Sequence, residues 1–273
     1  LASFVPMYCF ALPIFALIMR KIPMQKPVEN KLGFGKMFVY FAISYFIISA
    51  GNIIGTVLAF IFSGGNAQNP VTEMAMDTNP LKIVAVVILA PLIEEFIFRK
   101  LMLDRLGKYG EKTAVFLTAL AFGLLHQNLF QFFYAFGIGL VFGYIYIRTG
   151  RIRYSVILHS IINFMGGVIA PFILNNLDLQ KLSNLGQIGM AEESAAYLLN
   201  VLPFLIFYLF YAMFLYGIII AGLVLFIIRI RNLRWQNAPH QLPRGTVFKT
   251  AYLNAGMICY IIICGVFIVF SLL

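Results

Sequence analysis

Apolar residues run along this chain in blocks of about 20, separated by short polar stretches. A helix of that length crosses the roughly 30 Å of hydrocarbon in a bilayer. Eight such blocks fall at about 2–19, 37–63, 81–98, 113–127, 129–147, 154–174, 196–228 and 250–273. They predict an all-α fold: a polytopic membrane helix bundle of about eight transmembrane helices. The longest polar stretches run to about 20 residues, so no soluble domain is long enough to fold alone, and residues 1–273 read as a single integral membrane domain. The first block is apolar enough for a signal peptide. It lacks a basic stretch before it and a small-residue cleavage site after it, and so reads as a span. The chain opens at Leu1 rather than Met, which leaves room for an upstream piece.

Composition agrees with the pattern. The chain is 62% hydrophobic and 11% charged, against roughly a quarter charged in a soluble domain. The formal net charge of +10 suggests nucleic acid until the charges are placed. Eighteen of the twenty Lys and Arg fall in 20–36, 99–112, 148–153 and 229–249. The alternate regions hold only Lys82 and Lys181 against Glu73, Asp77, Asp178, Glu192 and Glu193. Such asymmetry is what the positive-inside rule produces. The basic loops therefore read as cytoplasmic, both ends as outside, and the protein as multi-pass in the cell membrane. Its basic excess then meets anionic lipid headgroups, not nucleic acid.

Smaller features have ordinary readings. Cys9, Cys259 and Cys264 lie in apolar spans, where a buried inert thiol is usual, and no metal-type cysteine spacing or disulfide framework exists. His240 reads as a solvated loop histidine. Gly51 with Gly55, and Gly139 with Gly143, let helices approach closely. Pro91 interrupts the third span and takes the helical donor from the carbonyl of Val87.

The ionisable groups inside the spans are few and bunched: Glu94, Glu95, Arg99 at the edge, His126 and His159. An ionisable residue in hydrocarbon is a functional-site hypothesis by default. Glu95 and Arg99 are four apart and can pair on one helix face. Glu94 is rotated about 100° from Glu95 and keeps no partner on its own helix. Phe122 and His126, and then His159 and Asn163, are also four apart. Glu94 and His159 both lie about 8–9 Å in from the nearest basic rim residue. His126 comes level with Glu94 if the third and fourth helices form a hairpin about the turn near 108–112, which requires the third helix to continue past Arg99. Glu94, His126, His159 and Asn163 would then line one pocket open to the cytoplasmic side.

Those groups suit amide hydrolysis. A poorly hydrated carboxylic acid can take a proton from water, with a histidine orienting that water. His159 and Asn163 can donate to the oxyanion formed as a carbonyl is attacked. The alternative is a zinc ion held by Glu94, His126 and His159, though no HExxH helix is present.

EEFIFR (Glu94, Glu95, Arg99), FGLLH (Phe122, His126) and HSIIN (His159, Asn163) resemble the motifs of the CAAX-protease and bacteriocin-processing (CPBP) membrane peptidases, a family that includes the type II CAAX prenyl endopeptidases. The resemblance covers about residues 80–175. It implies an intramembrane glutamic endopeptidase without a metal cofactor, cleaving a membrane-associated peptide, lipidated or leader-bearing. By it, Glu94 is the general base and His126 its partner on the water, while His159 and Asn163 form the oxyanion hole. Glu95, Arg99 and Phe122 support the site. Two readings of other classes stand beside it. One is a transporter relaying protons through Glu and His, against which the chain shows no inverted repeat. The other is a catalytically silent immunity or scaffold protein.

Overall fold

The computed structural model describes residues 6–70, 72, 79–177 and 191–273, whose regular structure is all helical, with no strand among them. The long helices are Phe34–Phe62, Leu129–Thr149 and Ala191–Ile230. Between them run a broken helical stretch from Pro80 to Tyr109, the helix Glu111–Leu125, and a second broken stretch from Arg153 to Asn175. A short helix, Leu12–Arg20, opens the described chain and Ala255–Phe270 closes it. Glu73, Asp77, Asp178 and Lys181 of the charge-asymmetry argument lie outside the described residues, as do the side chains of Glu192 and Glu193.

Among the described residues four helices are long and apolar enough to cross a membrane, or up to five if Arg244–Tyr252 and Ala255–Phe270, bent by 54° at their junction, make one broken span. The expected count of about eight is not reproduced by that measure. Two physical reasons account for much of the difference. The 15-residue helix Glu111–Leu125 is about 22 Å long at 1.5 Å per residue, short of the hydrocarbon core. The third block carries Lys82, Glu94 and Glu95 within its apolar run.

The packing centre is Leu129–Thr149, which lies against Phe34–Phe62 on one side and Glu111–Leu125 on the other. Glycines make both crossings possible. A Cβ on Gly51 would stand 2.6 Å from the backbone of Tyr134, and one on Gly55 would meet the carbonyl of Leu129. On the other side, a Cβ on Gly139 would stand 3.1 Å from Ala119 and one on Gly143 3.1 Å from Val115. Both glycine pairs thus permit backbones to approach where any side chain would hold them apart.

Three helices are interrupted by the same local rule. Pro13, Pro91 and Pro171 each stand two residues after a widened π turn: Pro6–Ala11, Ala85–Leu89 and Met165–Ile169. A proline ring inside an α-helix collides with the carbonyl four residues back. Opening the preceding turn to five-residue spacing moves that carbonyl away. Pro203, inside Ala191–Ile230, is carried without such a turn.

The basic segments are laced together at one end of the bundle. The amide of Gln25 donates to the carbonyl of Asp104 (2.7 Å), that of Asn30 to Thr149 (2.9 Å), and that of His240 to Lys108 (3.0 Å). Arg105 Nε donates to the carbonyl of Met19 at 2.6 Å, and Arg151 pairs with Glu29 at 3.2 Å. Four sequence regions expected on one side of the membrane therefore share one rim. The cysteines differ from expectation: Cys264 is buried, but Cys9 and Cys259 are exposed. Outer helix faces in a bilayer meet lipid, which accepts an apolar thiol as readily as a core does.

Candidate functional site

The third helix does continue past Arg99. It runs as a widened helix Phe96–Leu103, then Asp104–Leu106 and Gly107–Tyr109, and reverses at Gly110. Gly110 has φ +129°, a conformation open to glycine and strained for other residues. Glu111–Leu125 then packs back along Phe96–Leu103, with the rings of Phe98 and Phe122 edge to face at 5.1 Å. This hairpin packs Phe122 against the helix that carries the glutamates and sets His126 against Phe122.

Glu95 and Arg99 form the expected pair, Nε to Oε2 at 2.9 Å, and both side chains have no exposed surface. Arg99 is thus packed inside the bundle. The other oxygen of Glu95 faces His159 across helices: Nδ1 lies 3.3 Å from Oε1. Glu94, which keeps no partner on its own helix, approaches the same imidazole from the other side, its Oε2 at 3.7 Å from Nε2. That separation exceeds a hydrogen bond. The imidazole is therefore tied to Glu95 and only adjoins Glu94, whose side chain keeps 15% of its surface open. Aromatic rings fix the imidazole plane, with Phe122 edge-on at 5.9 Å and Phe142 tilted at 5.6 Å.

His126 stands just past the end of Glu111–Leu125, its ring 5.1 Å from Phe122. Its Nδ1 is 3.0 Å from the carbonyl of Phe122. A carbonyl can only accept, so that contact assigns the proton to Nδ1 and leaves Nε2 as an acceptor. The chain then turns back: Gln127 takes φ +55° and Asn128 caps Leu129–Thr149 by accepting from the amide of Gln131 at 2.9 Å. Asn128 Nδ2 also donates to the carbonyl of His126 at 2.7 Å. A turn at membrane depth is tolerated where its backbone groups find protein partners, and Asn128 supplies them. The motif reading passed over Asn128, although an Asn directly before an apolar helix is a start signal.

Asn163 is placed by the proline. With Ala90 donating to the carbonyl of Ala85 in five-residue spacing, the donor that Pro91 lacks would have served Val86, not Val87 as α-helical spacing predicts. Asn163 Nδ2 donates to the carbonyl of Val86 at 2.9 Å. A side chain from the histidine helix thus repairs the defect in the glutamate helix. The structure gathers Glu94, Glu95 and Phe122 around His159, pairs Glu95 with Arg99, sets His126 against Phe122, and ties Asn163 to Val86 by one N–H.

Nor do the described residues form a metal-ligand set as they stand: no three His, Cys, Asp or Glu side chains among them are grouped to hold an ion. His126 Nδ1 is engaged with a backbone carbonyl, and His159 has carboxylates at both nitrogens.

Fold and site together define a polytopic α-helical membrane protein built around a buried carboxylate–histidine cluster. Within that class, residues 77–165 match the Rce1-like family model, described as type II CAAX prenyl endopeptidase Rce1-like. All seven motif residues, from Glu94 to Asn163, lie within it. The chain is 28% identical to the putative membrane peptidase YdiL of Bacillus subtilis (strain 168), over 56% of this chain and 64% of that protein. It is 31% identical to the membrane-embedded CAAX protease MroQ of Staphylococcus aureus (strain USA300), over 47% of this chain and 55% of that protein. The matches therefore span less than two thirds of either relative. No solved structure matches the chain.

Proposed function

We propose that this chain is an intramembrane endopeptidase that hydrolyses a peptide bond of a membrane-associated substrate, with Glu94 as the base that activates water. The observation that carries this reading is the asymmetry of the two glutamates around His159. Glu95 is closed off, bound to Arg99 and the imidazole, whereas Glu94 is partly open and short of a hydrogen bond. A structural pair needs only the first; the second is available for chemistry. A water about 2.8 Å from both Glu94 and His159 Nε2 fits their separation.

In this mechanism Glu94 takes the water proton while the oxygen attacks the scissile carbonyl. His126 orients that water through its free Nε2. His159 donates from Nε2 to the oxyanion. Asn163 contributes through the N–H not used on Val86. Glu94 then returns its proton to the leaving amine. Glu95 and Arg99 hold His159 in place, and Phe122 sets the spacing between the two imidazoles. No cofactor takes part. The basic rim faces the cytoplasm of the cell membrane, and the substrate is a lipidated or leader-bearing peptide presented from that side.

The test is cleavage of candidate lipidated and leader peptides by the purified protein, with products identified by mass. Glu94→Gln is expected to cut turnover by at least about 100-fold with an unchanged melting temperature. Cleavage that persists in that variant would reject Glu94 as base. Turnover unchanged by a strong chelator fits water activated by Glu94; activity lost to chelation and restored by zinc would overturn the metal-free mechanism.

A further inference from the structure

A cavity lies on the opposite face of Leu129–Thr149 from the histidine cluster. It occupies about 460 Å³ between that helix, Phe34–Phe62, Glu111–Leu125 and the end of Ala191–Ile230, a size typical of ligand pockets. None of the seven motif residues lines it. Val39, Ile43 and Ile47 form one wall, four residues apart along a single helix face, and Leu140 and Val141 stand across from them. Its floor is where Gly137 meets Ile47, a contact so close that a Cβ on Gly137 would collide with the isoleucine.

The mouth is chemically different. Lys36 and Arg229 stand there with Asn232, and among the described residues neither cation makes an ion pair. Trp235 also lines the cavity, its ring 5.4 Å from that of Tyr144. Lys36 and Arg229 belong to two of the basic regions that share the rim. From Lys36 to Ile47 is about 16 Å along the helix, close to half the roughly 30 Å hydrocarbon thickness. The cavity is therefore one leaflet deep, apolar below, cationic and aromatic at headgroup level.

We propose that it is a binding site for one anionic phospholipid of that leaflet, with an acyl chain between the helices and the phosphate at Lys36 and Arg229. Charge complementarity selects the head, and the leaflet-long apolar wall selects a membrane lipid over a free phosphate. The site is separate from the proposed hydrolytic centre, so its test does not depend on peptidase activity.

The protein is reconstituted in nanodiscs of equal phosphatidylglycerol and phosphatidylcholine, extracted gently, and weighed intact by native mass spectrometry. One phosphatidylglycerol is expected to be retained in at least about tenfold preference to phosphatidylcholine. The double variant Lys36→Gln, Arg229→Gln changes exposed side chains only and is expected to retain the two lipids about equally. Leu140→Trp, which fills the cavity, is expected to retain neither; if it does not fold, the double variant alone decides. Equal retention by the wild type, an unchanged preference in the double variant, or displacement of the lipid by millimolar glycerol 3-phosphate would each overturn the proposal.

Discussion

Two of the long helices invert the rule that governs soluble proteins. In Leu129–Thr149, 61% of the apolar window is buried within the protein; in Tyr197–Ile230, the more apolar of the two, the share is 11%. Phe210, Met213 and Tyr216 of the latter are each about two-thirds exposed. In water that surface would have to be covered. In lipid it costs nothing, because the tails are as apolar as the side chains, and helix association depends on close packing and polar contacts instead. The buried helix accordingly has Gly137, Gly139 and Gly143 facing its neighbours. Hydropathy here marks what faces lipid, while glycine and charge mark what faces protein.

That contrast can be broken or sharpened by substitution, each change read as thermal or denaturant stability in detergent. Glu95→Leu makes the segment more apolar yet strands a fully buried guanidinium, and is expected to cost about 3–5 kcal/mol. A variant that melts with the wild type would show that Arg99 does not depend on Glu95. Asn163→Ala uncovers the carbonyl of Val86 and should cost about 1–3 kcal/mol; a wild-type melt would mean that carbonyl has another donor. Gly51→Leu forces the backbone of Tyr134 away and is expected to lose about 1–3 kcal/mol. The same change at Gly217, where an added Cβ meets nothing within 4 Å, should stay within about 0.5 kcal/mol. Equal effects at Gly51 and Gly217 would remove the distinction between the two kinds of helix.

Much of the site could be read from the chain alone because local spacing governed it. Glu95 and Arg99 pair as their four-residue offset requires, and the third helix continues to the glycine turn that the depth argument demanded. What could not be read depended on neighbours. The full enclosure of Arg99 comes from Glu95 and from helices distant in sequence. Val87 looked like the orphaned carbonyl because α-helical spacing was assumed; the widened turn passes that role to Val86, and the partner lies 77 residues away. Cys9 and Cys259 face outward because an apolar span has two faces and hydropathy does not say which one meets protein. The crossing count is not reproduced by helix length and apolarity for a related reason, since Glu111–Leu125 is apolar enough to suggest a span and, at 15 residues, short for one.

The segment Ala90–Glu95 is flanked by a widened turn on each side, Ala85–Leu89 and Phe96–Leu103. Each such turn takes up extra chain, about 100° of rotation per residue. Both carboxylates therefore sit on a short cylinder pinned at its two ends, by Arg99 of the later flank through Glu95 and by Asn163 on the Val86 carbonyl of the earlier one.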